Sequence, residues 1–250
     1  VTGDLHVLTQ SLLGVLVLVV VATSVLWGYG VPHRFAPALA IARGAVQLAL
    51  VSLVLSGVIT DGRWVAVVLA VMCAVATWTA TRRIGRGTAT LGIVAVAVLA
   101  GAGAALLIVF ATGAIELSPR YALAIGGIVI GNAMTVAALA GRRFLEIVDS
   151  RWEEVEGWLA LGATPRQSTA ELTRVAVHSA LIPATDQTKT TGLVTLPGAF
   201  VGAIFGGLSP LEAGRFQIVV LASIMAAASI TAVVVARGLG PVRYRPTVPS

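Results

Sequence analysis

The sequence predicts an all-α protein that crosses a membrane about seven times, on three observations. Of its 250 residues, 57% are hydrophobic and 11% charged, with a mean hydropathy of +0.95, whereas soluble domains carry about 25% charged residues. Apolar stretches recur at the length a bilayer demands, ~20 residues within a range of about 17–25. The basic residues then sort to alternate loops, as they do in proteins threaded through a bilayer.

Five stretches meet the length requirement cleanly: residues 5–27, 36–59, 64–80, 91–112 and 121–141. No basic region precedes the first; Asp4 and His6 stand there instead, so that span is expected to stay in the mature protein. A charged segment follows at about 142–190, which holds 13 of the 28 charged side chains. Two more spans are expected after it. Residues 216–236 are uninterrupted, while 192–208 is short and contains Pro197-Gly198, which can also mark a broken helix lining a cavity. Trp27, Tyr29, Trp64 and Tyr121 fall at span ends, where interfacial aromatics anchor. The tail from 240 to 250 holds Pro241, Pro246 and Pro249 and is expected to be extended or mobile. With no internal repeat and no linker, residues 1–250 read as one membrane domain.

Charge sets the expected orientation. The basic residues are 16 Arg and Lys189. With the N-terminus outside and the C-terminus inside, 13 fall on the inner side, including Arg82, Arg83 and Arg86, three on the outer side (Arg63, Arg120 and Arg215), and Arg43 within a span. The charged segment then faces the cytoplasm. These arginines flank apolar stretches and form no dense run, so lipid headgroups, not nucleic acid, are their expected partners. The lone Cys73 permits no internal disulfide. Three His (His6, His33, His178) and three Met show no paired ligand spacing, and whether a metal binds stays open. No glycine-rich phosphate loop precedes Lys189-Thr190, and no hydrolase elbow or His-Glu-x-x-His pair occurs, so the chain is expected not to be an enzyme.

Within the charged segment, Phe144, Ile147, Val148, Trp152, Val155 and Leu159 recur at threes and fours between acidic and basic positions. That is an amphipathic helix continuing the fifth span, and it should stop near Gly162. Thr164-Pro165-Arg166-Gln167 then fits a helix start: Thr164 as N-cap, Pro165 as first helical residue, and Gln167 closing a capping box. The unit is helix, sharp turn, helix.

The six-residue spacing from Glu156 to Gly162 resembles the cytoplasmic coupling loop of ABC importer-type permeases, with Gly157-Trp158 in place of paired alanines and the expected proline arriving late, at Pro183. The C-terminal third, Lys189-Thr-Thr-Gly192-Leu-Val-Thr-Leu-Pro197-Gly198 with Gly202, Gly206-Gly207, Ser209-Pro-Leu-Glu212 and Arg215-Phe-Gln217, resembles the FetB-type permeases, small ABC permeases linked to bacterial iron export and plant aluminium tolerance. Gly131-Asn132-Ala-Met134-Thr135 and Arg43-Gly-Ala-Val-Gln47 also fit that pattern. The resemblance implies a multi-pass permease of the bacterial cytoplasmic membrane. It would be a homodimer driven by a separate cytoplasmic ABC ATPase, which would hold the ATP and magnesium, while this chain binds no cofactor. It would export a metal ion such as iron, or a related solute.

In that scheme Glu153, Glu154, Glu156, Gly162, Thr164, Pro165, Arg166 and Gln167 couple the ATPase to the spans. Arg43, Gln47, Asn132, Met134, Pro197, Gly198 and Gly202 are candidates for the path or its gate. Arg43 qualifies because a charge within a span costs at least ~2.5–3.5 kcal/mol, although it could reach the headgroups from its place near the helix end. Gly198, Gly202 and Gly206 repeat at every fourth position and are candidates for close helix packing or a dimer contact. Ala199-Phe200-Val201 departs from the two methionines and threonine usual in the family, which leaves the cargo open. An ATP-independent carrier or channel, with the bend as a regulatory surface, is the alternative.

Overall fold

The computed structural model describes residues 2–58, 61–85 and 87–246. Arg86 from the charge count, Ile59 at the end of the second expected span, and the last four residues of the tail lie outside the described residues. Contacts group the chain into two compact units, Val1–Val58 and Ile59–Ser250.

The first unit is a helical hairpin in which α1 (Thr2–Gly28) and α2 (Ala36–Val58) pack on each other. The connecting turn is pinned by Arg34, whose guanidinium sits 4.7 Å over the Trp27 ring and 5.7 Å from that of Phe35. Stacking on ring faces is what a planar, weakly hydrated cation favours.

The second unit begins with α3 (Gly62–Ile84), a short 3-10 turn (Gly87–Thr90) and α4 (Leu91–Ala111). It continues through α5 (Pro119–Ser150), α6 (Trp152–Ala160), α7 (Pro165–Ser168), α8 (Ala170–Thr190), α9 (Gly198–Phe205) and α10 (Pro210–Leu239). Local chemistry starts these helices where the sequence dictates. The Asp61 carboxylate accepts from the Arg63 amide at 2.9 Å, Ser118 caps α5 ahead of Pro119, and Ser209 and Glu212 close a capping box around Pro210. Each cap satisfies amides that the helix itself leaves unbonded.

Packing centres on α10, which lies against α4, α5, α8 and α9, while α5 also lies against α3 and α4. The buried faces are made of small residues: Ala97, Gly101 and Ala105 on α4; Ala133, Ala137 and Ala140 on α5; Ala227, Ala228 and Ala232 on α10. Small residues let helix backbones approach closely, and that is how helices gain contact in lipid. The closest approach is at Gly101, where a Cβ would stand 2.7 Å from the Ala227 carbonyl oxygen and strike the Thr231 hydroxyl. Beside it the buried Thr231 hydroxyl donates to the Ala97 carbonyl at 3.2 Å, joining α4 to α10 across 134 residues of chain.

Among the described residues, six helices are long and apolar enough to cross a membrane: α1, α2, α3, α4 (with its 3-10 turn), α5 and α10. The chain is thus an all-α, polytopic membrane protein, and among the described residues six long helices stand against the expected count of about seven spans. Residues 192–208 do not form a spanning helix. Gly192 takes φ 89°, a single bridge pairs Thr191 with Thr195, Pro197 brings no amide, and Gly207 at φ 97° closes the far side. Between them α9 has only 8 residues, about 12 Å of helix against the ~30 Å of a hydrocarbon core.

The charged segment is organised differently from a plain loop. α5 runs on to Ser150, the chain leaves helical geometry at Arg151 (φ −116°, ψ 32°), and α6 follows. α8 then packs back on α5 and α10 through the buried Leu172, Ala176 and Ala180. Residues 241–246 of the tail carry no helix and are tied down: Val242 is buried and Arg245 reaches Asp149 at 2.6 Å.

Replacing Gly101 by Leu should force α4 and α10 apart and cost about 1–3 kcal/mol. Thr231→Val, which removes only the interhelical hydrogen bond, should cost about 0.6–1.7 kcal/mol. Thermal unfolding of the purified protein in detergent checks both, and the leucine variant should melt lower.

Candidate functional site

The bend between α6 and α8 is built from local signals. α6 ends at Ala160, and Gly162 adopts φ 90°, a left-handed conformation costly for any residue with a Cβ. Thr164 then caps α7 as its spacing predicts. The Gln167 side-chain carbonyl accepts from the Thr164 amide at 2.8 Å, and the Thr164 hydroxyl lies 3.4 Å from the Gln167 amide, with Pro165 in the first helical position. α7 lasts only 4 residues before the chain kinks at Thr169 and enters α8.

One long-range tie holds this bend to the end of α10, and a second holds the tail to α5. The buried Thr169 hydroxyl donates to the Gly240 carbonyl at the end of α10, 2.7 Å away. Arg245 Nε donates to the Asp149 carboxylate at the end of α5. The tip of the bend, by contrast, is presented outward, with Trp158 52% and Leu161 83% exposed. Large apolar side chains at the tip of a polar loop mark a contact surface. Around them Glu154 is paired with Arg151, while Glu153 and Glu156 are exposed and form no ion pair among the described residues. Arg166 lines a cleft with Thr169, Thr173, Arg174 and Arg237 at the end of α10.

The coupling candidates Glu153, Glu154, Glu156, Gly162, Thr164, Pro165, Arg166 and Gln167 therefore fall together on one bend. The path candidates do not form one cluster. Arg43 and Gln47 sit one turn apart on α2, both exposed, in the first unit. Asn132 and Met134 are on α5, where the Asn132 amide donates to the carbonyl of Ile128 at 2.9 Å and Met134 packs against the core. Pro197, Gly198 and Gly202 begin α9, whose packing partner is α10. A Cβ on Gly198 or Gly202 would meet nothing within 4 Å, so these glycines do not serve close packing within the subunit, and Gly206 is the cap that ends α9. His178 is exposed on α8, and among the described residues no group of three or more His, Cys, Asp or Glu is placed to hold a metal.

Sequence reasoning missed Trp158 and Leu161 as exposed apolar groups, and missed the ties through Thr169 and Arg245. The apolar pair could be found from its place beside the turn at Gly162. The ties join residues 71 and 96 positions apart, and nothing local announces them.

The pattern of the family described as "Uncharacterised protein family (UPF0014)" matches residues 9–241. The chain belongs to this family. The UPF0014 membrane protein STAR2 of Oryza sativa subsp. japonica is 38% identical over 196 residues, covering 78% of this chain and 69% of that protein. Protein ALUMINUM SENSITIVE 3 of Arabidopsis thaliana is 34% identical over 198 residues, 77% of this chain and 71% of the relative. The probable iron export permease protein FetB of Escherichia coli (strain K12) is 33% identical over 196 residues, 78% of this chain and 76% of the relative. No solved structure matches. The UPF0014 match spans the bend and the six long helices alike, so this is a multi-pass membrane protein of a permease-like family.

Thr164→Ala should remove about 0.5–2 kcal/mol of capping energy from α7. Hydrogen exchange followed by mass spectrometry should find faster exchange at the Arg166, Gln167 and Ser168 amides, with α10 unchanged.

Proposed function

We propose that this UPF0014 protein is the transmembrane subunit of an ABC transporter, acting as a homodimer and energised by a separate cytoplasmic ATPase. One observation carries the reading: the bend is exposed at its tip, charged around it, and tied at its base to the end of α10. A loop that served only to connect spans would need neither the exposed Trp158 and Leu161 nor the tie from Thr169 to Gly240. In the proposal Trp158 and Leu161 fill a cleft on the ATPase, Glu153, Glu156 and Arg166 make the polar contacts at its rim, and Gly162 sets the angle of approach. Apolar anchors ringed by polar groups are how energetic protein contacts are arranged.

The chain itself then performs no chemistry. The partner binds ATP and magnesium, and its closure displaces the bend. The cargo belongs to the class named in the bacterial relative, a metal ion such as iron, or a related solute, and it moves outward. This part of the reading is supported by the likeness to the FetB permease and the two relatives above. An ATP-independent carrier would keep the same spans and use the bend for regulation.

Co-purification separates the two. With the ATPase co-expressed, the unaltered chain should retain it on an affinity column, and Glu156→Lys combined with Gly162→Leu should lose it while the protein still inserts in the membrane. Retention of a fully active ATPase by the double variant would overturn the docking assignment. Reconstitution with the partner, screening metal ions and small organic solutes for stimulated ATP hydrolysis, then identifies the cargo.

A further inference from the structure

The charged segment reads as lying wholly outside the membrane, yet its second half, α8, packs along the long helices α5 and α10. The starts of α5 and α10 lie together, with the Tyr121 and Phe216 rings 5.8 Å apart, and the tail that follows α10 bonds the end of α5 through Arg245 and Asp149. α8 begins at that same end, where Thr169 bonds Gly240. It therefore runs antiparallel to both. Near its middle, Pro183 shares a groove with Leu139 and Arg143 of α5. Leu139 already belongs to the apolar stretch 121–141. Seven more residues follow before α8 ends at Thr190, about 10 Å of helix at 1.5 Å per residue.

Those residues are Ala184-Thr-Asp186-Gln-Thr-Lys189-Thr190. Asp186 and Lys189, 3.4 Å apart, keep 61% and 70% of their side chains exposed at a level where the neighbouring helix is built for lipid. Charges are not left facing hydrocarbon; at membrane depth they face water or each other. The threonines add to the polarity. The hydroxyls of Thr188, Thr190 and Thr191 donate to the carbonyls of Ala184, Asp186 and Gln187 at 2.8, 3.0 and 2.8 Å. Their protons are spent within the helix, so what they turn outward is lone pairs. Beyond Thr191 the backbone is irregular to Pro197, then α9 resumes. Irregular backbone at membrane depth is tolerated where it lines a water-filled cavity or is buried in protein.

We infer that α8, the turn at 191–197 and α9 form one discontinuous crossing, and that its polar half lines an aqueous vestibule opening on the side of the bend, through which a hydrated, oxygen-ligated solute reaches the break. The existence of the vestibule rests on geometry and charge; its use by a solute rests on the transport reading above. Pairs of half-helices meeting at mid-membrane are a recurring way to build such a site. Here the wall would offer hydroxyl oxygens, the Gln187 amide and the Asp186 carboxylate, with Lys189 as the one positive charge.

Spin labelling tests this without any ATPase. Single cysteines at Asp186, Gln187 and Lys189, made in a Cys73→Ala background, are labelled with a nitroxide in proteoliposomes of the full chain. Collision with oxygen, which partitions into lipid, and with a water-soluble nickel chelate gives depth and wetness. Labels at Ile218, exposed on α10, and at Trp158, on the bend, supply the lipid and aqueous references. The expected result is a depth below the phosphate level with nickel collision several-fold above that at Ile218. A depth equal to that at Trp158 would place the stretch outside the membrane and overturn the inference. Nickel collision as low as at Ile218 would make the site dry and overturn it as well. Three positions guard against one variant failing to insert. Loss of the ATPase-docking reading would leave these outcomes unchanged.

Discussion

Surrounded by hydrocarbon, a helix gains nothing by hiding apolar side chains from its neighbours in the way a soluble helix does; contact depends on how near two backbones can come. In this protein that condition is met most severely where α4 meets α10. Gly101 has no room for a Cβ against Ala227, and Thr231 spends its hydroxyl on the Ala97 carbonyl. The rest of the second unit is arranged around the helix so fixed. α10 is the common partner of α4, α5, α8 and α9, and its far end receives the hydroxyl of Thr169. Small residues are therefore the construction principle here, and large apolar ones such as Phe144 and Leu145 are buried just beyond the apolar stretch of α5.

Much of this could be read from residue order. Spans of unbroken apolar residues report themselves by length, and the bend at Thr164-Pro165-Arg166-Gln167 reports itself because capping is chemistry between residues three apart. The stretch 192–208 misleads for a physical reason: mean hydropathy measures composition, not continuity, and Gly192, Pro197 and Gly207 interrupt an apolar segment without making it polar. α8 is harder to read for the converse reason. Its buried Leu172, Ala176 and Ala180 form a narrow stripe, and the Thr, Asp and Lys residues around them dominate any average. Ties between distant positions, Thr169 with Gly240 and Asp149 with Arg245, depend on the assembled bundle and leave no local trace. For the path candidates, residue type was readable while spatial grouping was not: Arg43 and Gln47 belong to one compact unit, Asn132 and α9 to the other.

The glycines at 198 and 202 illustrate how the same residue type can do different work in one chain. Gly101 is small because a neighbouring backbone is already there. Gly198 and Gly202 are small with nothing beside them. A four-residue repeat of glycine thus says that a helix face is smooth, and only the surroundings say whether that smoothness is occupied.

One geometric property of α8 follows from its length. It runs 21 residues from Thr169, where the bend is bonded to α10. At 1.5 Å per residue that is about 31 Å of helix, so a tilt of about 10° about its start would carry its far end, at Thr190, through roughly 5 Å. That is more than the diameter of a water molecule. A small rotation where α8 begins would thereby become a larger displacement where it ends, with no need for any helix to unwind.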